Sequence, residues 1–270
     1  MKTGRLVQVL MLCLWCGLLS CHPMQKTSGT LTFITIDEEL ELNKMLSLEA
    51  AKQFKLVRNQ ILVGYMNQIG REIGLQSDWN GLPYTVHVIN EPDLNHFSLP
   101  GGSVFITRGI IDSSDTVCEV ALVIAHEIAH IAARDGIRRV GQKYGYAFAA
   151  QSLIGQNPEI SAQIISQLYA DGTILDYSPE EEFLADAKAV KYAWKANYDP
   201  AGLVDILKKI RKTESKSPAL TASLKMTHPS TSKRIRKVRL EVRRAPHKES
   251  LRKNYDDYTE IKDLMEKIPQ

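Results

Sequence analysis

The sequence predicts an α+β fold that is mainly helical, with a small sheet beside a helix that carries two histidines. Two β-rich stretches support the sheet: Tyr84–Ile89 alternates, and Ser103–Thr107 follows the turn residues Pro100–Gly102. From Ser114 onward, apolar residues recur with helical spacing, and helices dominate the prediction. A chain of 270 residues is long enough for one large domain, or for one domain with a helical appendage.

The helices are predicted from periodicity and from their end signals. Ser47–Leu75 carries apolar residues at helical spacing, with Ser47 and Glu49 near its start. The segment Tyr144–Ala150 is apolar but too short to span a membrane, and it is either a lid or a core helix. After Ser114 the predicted helices are the histidine-bearing helix and Ile137–Ile154, Pro158–Ala170, Pro179–Ala196, Pro200–Lys212, Ser230–Arg244 and Tyr255–Lys267.

The N-terminus has the features of a secretion signal. Lys2 and Arg5 form a short positive region, and Leu6–Leu19 is an apolar stretch that is short for a membrane span. The order Leu18–Leu19–Ser20–Cys21 resembles the bacterial lipobox, in which the signal is cut before a cysteine that is then lipidated. We therefore expect Cys21 to carry acyl chains; cleavage of an ordinary signal peptide nearby is the alternative.

Lipidation would place the protein in the bacterial cell envelope, because acyl chains on Cys21 attach a protein to a membrane surface without a spanning helix. His22 stands where aspartate favours inner-membrane retention in enterobacteria, so the expected location is the periplasmic face of the outer membrane. Cys13 and Cys16 would leave with the signal, so that only Cys118 remains. An intrachain disulfide and a cysteine-based zinc site are then excluded, and Cys118 is expected to be a small core residue.

The charge of the chain is basic in one region only. Removing Lys2 and Arg5 with the signal lowers the formal net charge from +3 to +1. The basic residues concentrate between Lys208 and Lys253, without interleaved aromatic residues. We expect a solvated helix face there, or contact with anionic lipid, and no nucleic-acid partner, since an exported protein rarely meets nucleic acid.

The run Ala121–His130 places two histidines four residues apart, with a glutamate directly after the first. On a helix, this spacing puts both imidazoles on one face, where they can bind one zinc ion, while Glu127 can reach a water at the metal. The pattern also occurs by chance. The apolar flanking residues, however, predict a buried helix, in which three polar side chains need partners. We expect His126 and His130 to bind Zn²⁺ and the chain to be a zinc-dependent peptidase.

A catalytic zinc site usually has three protein ligands and one open position. The best region for the third ligand is Tyr177–Asp186, where a proline and three acidic residues mark the start of a helix. Two of the glutamates Glu180–Glu182 are expected only to compensate the helix dipole. Asp186 lies one turn after Glu182, so one of these two can bind metal while the other orients a ligand histidine.

Four blocks, in order, resemble the gluzincin family of the CaaX prenyl proteases and the heat-shock protease HtpX. The two-histidine motif is followed 52 residues later by Glu182–Asp186. Before the motif, Asn95–Gly102 and the strand through Gly109 are similar to the substrate-edge block of that family. After it, Thr227–Pro229 and then Arg234 are similar to its late His-Pro element. The resemblance covers roughly residues 50–240.

The resemblance implies a zincin-type metallopeptidase fold, with Glu182 as the third zinc ligand and Glu127 as the general base. It also suggests His228, with Arg234, near the oxyanion of the intermediate, and Asp186 beside a ligand histidine. The chain lacks the spanning helices of the HtpX branch and looks closer to a secreted or lipoprotein branch.

Three positions depart from the family pattern. Histidine is common there where Asp135 stands, arginine where Pro179 stands, and glutamate where Leu184 stands. None of these is a ligand position. The predicted domains are a lipoprotein signal peptide (1–20), a tether and N-terminal extension (21–46), a zinc metallopeptidase domain (47–245) and a C-terminal helical tail (246–270).

The expected activity is endoproteolysis of unfolded or misassembled envelope proteins, bound as an extended strand by backbone pairing to Ser103–Thr107. His87 and His96 are expected to be structural or exposed residues. The alternative is a latent protease that acts as a chaperone-like assembly factor for outer-membrane proteins. The lid-like stretch Tyr144–Phe148 and the basic C-terminal helices, which could cover the cleft, motivate this alternative. A non-peptidase zinc hydrolase is less favoured, because the strand block suits an extended peptide.

Overall fold

The computed structural model describes residues 34–144, 177–216, 231–251 and 256–269. In these ranges the protein is mainly helical with one small sheet, which confirms the predicted fold class. The elements, in chain order, are α1 (Ile36–Gln53), α2 (Gln60–Gly74), β1 (Thr85–Ile89), β2 (His96–Ser98), β3 (Ser103–Thr107), α3 (Arg108–Ser113), α4 (Val117–Ala132), α5 (Asp135–Tyr144), α6 (Pro179–Lys195), α7 (Ala201–Lys216), α8 (Thr231–Arg244) and α9 (Asp256–Glu266).

The sheet has the strand order β1-β3-β2. Strand β3 pairs in parallel with β1, where Val86 lies opposite Val104, and antiparallel with β2, where Phe97 lies opposite Phe105. The prediction that a substrate adds to Ser103–Thr107 is therefore wrong, because β3 is the central strand and both of its edges are already paired. Strand β2 lies at an edge of the described sheet.

The two faces of the sheet pack against different helices. On one face the rings of Phe97 and Phe105 stack at 4.8 Å, and His87 stacks on Phe105 at 4.6 Å. This face packs on α1. On the other face, Val104 and Ile106 belong to the larger hydrophobic core, which includes buried residues of α2 and α4. The sheet thus holds α4, the predicted metal-binding helix, on one side and α1 on the other.

Helix α1 begins within the segment predicted as an N-terminal extension. Thr35 and Glu38 form a reciprocal capping box at its start, and Leu42 and Leu46 are buried against the sheet. A close backbone approach holds the helix on the β2–β3 turn: Gly101 has φ +85°, and a Cβ there would lie 2.5 Å from the Glu39 carbonyl oxygen. The proposed boundary between residues 46 and 47 falls inside this helix.

The predicted helical stretch Ser47–Leu75 is two helices, because the chain is extended between them. Leu56 pairs with Ile89 at the outer edge of β1, and the Asn59 side chain then caps α2 by accepting from two backbone N–H groups. Periodicity alone could not show this break, since apolar residues continue through it.

Helix α4 is the centre of the larger core, and fifteen of its sixteen residues are buried. It packs against α2, α6 and α7. Gly202 lets α7 approach closely, since a Cβ there would lie 2.7 Å from the Cys118 backbone. Cys118 is a buried free thiol, as predicted. A side chain on α4 can therefore be polar only where neighbouring elements supply partners.

The predicted helices from Pro179 onward are confirmed to within a few residues at each end. In the segment predicted as a C-terminal tail, Tyr258, Ile261 and Met265 of α9 are buried, and the Tyr258 hydroxyl donates to the Ile111 carbonyl at 3.2 Å. The predicted Pro158–Ala170 helix lies outside the described residues. In the described part of the chain, no helix is both long and apolar enough to cross a membrane.

Candidate metal centre

The three predicted ligands converge in the core. His126 and His130 lie on one face of α4, with their Nε2 atoms 3.2 Å apart. The carboxylate of Glu182, in the first turn of α6, lies 3.6 Å from the Nε2 of His126 and 3.4 Å from the Nε2 of His130. All three side chains are buried. The structure therefore brings together the histidine pair and Glu182, rather than Asp186, as the metal-facing carboxylate.

The N-terminal signals of α6 fix the position of Glu182. Ser178 caps the helix, Pro179 occupies its first turn, and Glu181 completes a capping box with Ser178. Glu181 also binds Arg138 and Arg139 of α5.

This arrangement divides the roles of the three glutamates. Glu180 is exposed, Glu181 caps the helix, and Glu182 turns inward. Burial raises the pKa of Glu181, but the Ser178 backbone N–H and the two arginines of α5 outweigh it and lower the pKa to about 2.

Asp186 lies one turn after Glu182 and contacts the first histidine. Its Oδ1 is 3.1 Å from the Nδ1 of His126. Arg234 of α8 donates to both oxygens of Asp186, at 2.9 and 2.7 Å, and its Nη1 lies 2.8 Å from Glu182. Burial raises the pKa of Asp186, but the Arg234 charge and the hydrogen bond to His126 outweigh it and bring the pKa to about 2. Asp186 is thus a charged acceptor that orients His126.

The second histidine has a carboxylate partner that the sequence reasoning missed. Asp135 Oδ2 lies 2.8 Å from the Nδ1 of His130. The contact depends on the chain reversal after α4, where Arg134 has φ +57°. Burial lowers the pKa of His130, but hydrogen bonds to Asp135 and Glu182 raise it to about 10.

Glu127, the predicted general base, also has a neighbour that sequence reasoning did not assign. Glu127 is fully buried, and its Oε1 lies 2.6 Å from the Nδ1 of His96 in β2. His96 is itself only 4% exposed. Its ring meets that of His126 edge-on, with the centroids 5.9 Å apart. His87, by contrast, is on the opposite face of the sheet and takes no part in the site.

The donor atoms fit zinc in type and in spacing. Nitrogen and oxygen ligands lie about 2.0–2.1 Å from tetrahedral zinc, so two of them are separated by roughly 3.3–3.4 Å. The two Nε2 atoms are 3.2 Å apart, His130 Nε2 lies 3.4 Å from Glu182 Oε1, and His126 Nε2 lies 3.6 Å from the other oxygen, Oε2. Both Nδ1 atoms face carboxylates, so the Nε2 atoms of His126 and His130 are turned toward Glu182 and the common centre.

His228 and Cys21 lie outside the described residues, as does most of the lid-like stretch Tyr144–Phe148. Arg234 is in the site and pairs with Glu182 and Asp186; its predicted contact with an oxyanion stays a prediction.

Comparison with known proteins agrees with this geometry. Residues 62–242 match Peptidase family M48. Similar proteins include the mitochondrial metalloendopeptidase OMA1 of Schizosaccharomyces pombe, which is 30% identical over 178 residues (64% of this chain, 51% of that protein). The beta-barrel assembly-enhancing protease of Yersinia pestis is 22% identical over 234 residues (83% and 48%). The chain spans about half the length of these two relatives. With the match covering more than half of its residues, the chain belongs to peptidase family M48, a family of zinc-dependent metallopeptidases.

Proposed function

We propose that the chain is a zinc-dependent endopeptidase that hydrolyses peptide bonds in unfolded or misassembled proteins of the bacterial cell envelope. One observation carries the proposal: two imidazole nitrogens and a carboxylate lie at separations close to those expected of tetrahedral zinc ligands, and the residue after the first histidine is a buried glutamate. That constellation suits attack of water on an amide carbonyl.

Each residue at the site has a role in this chemistry. Bound zinc supplies Lewis acidity toward the peptide carbonyl and the attacking water. Glu127 accepts the proton of that water and delivers it to the leaving amine. Asp186 and Asp135 hold the two histidines with Nε2 available for the metal. Arg234 balances the charge of the carboxylates Glu182 and Asp186.

Strand β2, the edge strand next to the site, is the element that we propose pairs with an extended substrate, which would have to displace the groups that bury all three of its residues. The backbones of Asn95 and Leu99 face β3, since the Thr107 N–H donates to the Asn95 carbonyl and the Leu99 N–H donates to the Ser103 carbonyl. Backbone groups alternate in direction along a strand, so those of residues 96 and 98 point away from β3. A peptide that adds to β2 would be recognised through its backbone, which suits unfolded chains of many sequences. The strand with which a substrate would pair is therefore β2, in place of the predicted β3.

The envelope location is supported by the N-terminal sequence and by relatives. The lipobox-like Leu18–Cys21 favours a lipid anchor, and His22 favours the outer membrane. Several relatives are named beta-barrel assembly-enhancing protease. We therefore propose that the chain belongs to a periplasmic lipoprotein branch of the family and is anchored through Cys21.

A second candidate follows from the same names. A protease that enhances assembly can also act by holding unfolded outer-membrane proteins. In that case cleavage would be latent, and binding of unfolded chains would be the main activity.

The two candidates separate in one set of assays. Zinc content, casein cleavage and suppression of aggregation of an unfolded outer-membrane protein are measured for wild type and Glu127→Gln. We expect full zinc in both proteins and cleavage by wild type alone. Glu180→Gln is the matched control, because Glu180 is exposed and lies two residues before Glu182 in the same helix. A zinc-loaded wild type that suppresses aggregation without cleaving would favour the second candidate. Undiminished cleavage by Glu127→Gln would reject the mechanism.

A further inference from the structure

His96 stands between the substrate edge and the general base. Strand β2 lies against α4. The His96 side chain points from this strand toward α4, and its Nδ1 lies 2.6 Å from Glu127 Oε1. Both side chains are almost fully buried, at 4% and 0% exposure. A hydrogen bond to a carboxylate in such surroundings is strong and directional.

The geometry distinguishes His96 from a metal ligand. In the described part of the chain, the cluster whose donor atoms all lie within 4.8 Å of one another comprises His126, His130 and Glu182, without His96. The His96 ring is nearly perpendicular to that of His126, at 83°. Its Nδ1 is directed at the base instead.

A glutamate acting as a base gains from such a contact. Its carboxylate is carried on a flexible side chain, and the proton transfer requires it to be held within a fraction of an ångström of its working position. A bond from an imidazole N–H to Oε1 restricts this freedom.

We propose that His96 is a positioning residue, which donates its Nδ1–H to Glu127 Oε1 and so aligns the base with a peptide that pairs with β2. The proposal rests on the peptidase function above and deepens it. The backbone of residue 96 points to the side of β2 where a substrate strand would add, while its side chain holds the base. His96 thereby fixes the position of Glu127 relative to the bound peptide, because its side chain contacts Glu127 and its backbone would pair with that peptide.

The chain offers a matched control in His87. It lies in β1 of the same sheet, but on the opposite face, where it stacks on Phe105 at 4.6 Å. A substitution of His87 tests the cost of altering a sheet histidine without touching the site. His96→Phe keeps a ring of similar size and loses the donor. His96→Asn keeps an N–H near the position of Nδ1.

The test is steady-state cleavage of a fluorogenic peptide by zinc-loaded variants, with zinc content and melting temperature measured in parallel. We expect His96→Phe to lower kcat about 10- to 100-fold, the range for loss of an orienting contact, with little change in KM. His96→Asn should recover most of that loss, and His87→Phe should leave kcat unchanged. In a Glu127→Ala background, His96→Phe should cause no further loss, because the group that it positions is gone.

The outcomes separate the two proposals. A folded, zinc-loaded His96→Phe that equals or exceeds wild type would overturn the role of His96 alone, as would an equal loss in the Glu127→Ala background. Absence of cleavage by wild type would reject the peptidase function, and the role of His96 with it. If His96→Phe does not fold, the proposal is tested by comparing the activities of His96→Asn and His96→Gln. Only asparagine places its amide near Nδ1, so equal activity of these two variants contradicts the proposal.

Discussion

Asp135 Oδ2 lies 2.8 Å from His130 Nδ1, so the first residue of α5 holds the second histidine of the candidate metal centre. Asp186 holds His126 in the same way from α6. Each ligand histidine is thus fixed by a carboxylate from a different helix. Because a ring held in this way is oriented before the metal arrives, the zinc affinity depends on elements outside the motif helix.

We predict that Asp135→Asn weakens zinc binding about 10- to 100-fold, the usual effect of losing a carboxylate behind a ligand histidine. An amide of the same shape accepts more weakly than a carboxylate and provides no charge. The affinity is measured by competition with a chelator of known strength. Asp205→Asn is the control, because Asp205 is half exposed and pairs with Lys208. Equal zinc affinities of Asp135→Asn and wild type would contradict the assigned role.

A second prediction concerns Arg234, whose guanidinium contacts Glu182 and Asp186 in the core. Arg234→Gln removes a buried positive charge from these carboxylates, so the metal-free protein should lose about 3–5 kcal/mol of unfolding free energy. Bound zinc supplies positive charge to Glu182, so the loss should be smaller in the zinc-loaded protein. Urea unfolding with and without chelator measures both values.

Arg236→Gln is the matched control for this prediction. Arg236 is exposed on the same helix, and its substitution should change the unfolding free energy little. If Arg234→Gln loses no more unfolding free energy than the control, the buried ion pairs of Arg234 make no net contribution to stability.

The ligand set could be predicted from the sequence because local rules determine most of it. Helical spacing puts His126 and His130 on one face, and Ser178 with Pro179 starts α6 where Glu182 falls in its first turn. The choice between Glu182 and Asp186 could not be made locally. Both lie on the inner side of α6, and only the packing of α6 against α4 shows which of them meets both Nε2 atoms.

The residues that were missed depend on tertiary structure or on weak signals. Strand β2 has three residues, too few for a period-two pattern, so the sequence pattern provided no reason to assign His96 a role in the site. Asp135 reaches His130 only because Arg134 adopts a left-handed backbone conformation. The start of α1, however, could have been predicted from the sequence, because Thr35 and Glu38 have the spacing of a capping box.

A third prediction is a pH dependence at the start of α6. The pKa of Glu181 is about 2 in the folded protein, below its ordinary value of 4.5. Its contribution to stability is therefore fully present above about pH 4.5 and is lost as the pH falls toward 2. Glu181→Gln should lower the unfolding free energy by about 1–2 kcal/mol at pH 7, with the difference from wild type shrinking by pH 3.5.

This comparison uses zinc-loaded wild type and Glu181→Gln in urea at both pH values, so that proton competition with zinc affects the two proteins alike. Glu180→Gln, at the exposed neighbour, should show no such dependence. If the difference in unfolding free energy between wild type and Glu181→Gln stays constant between pH 7 and 3.5, the ionised Glu181 side chain is not the source of that stability.

The last prediction tests the substrate edge. Ser98 lies in β2 with its backbone groups directed away from β3, opposite in sense to those of Leu99, whose N–H donates to Ser103. Ser98→Pro therefore removes an N–H that a paired substrate would use, while the hydrogen bonds within the sheet are kept. One lost hydrogen bond of about 0.5–1.5 kcal/mol should raise KM for an unfolded substrate roughly 2- to 10-fold. Ser98→Ala, which keeps the N–H, should leave KM near that of wild type. If folded Ser98→Pro protein has the same KM as Ser98→Ala, substrates do not pair with this edge, and the extended peptide must bind elsewhere.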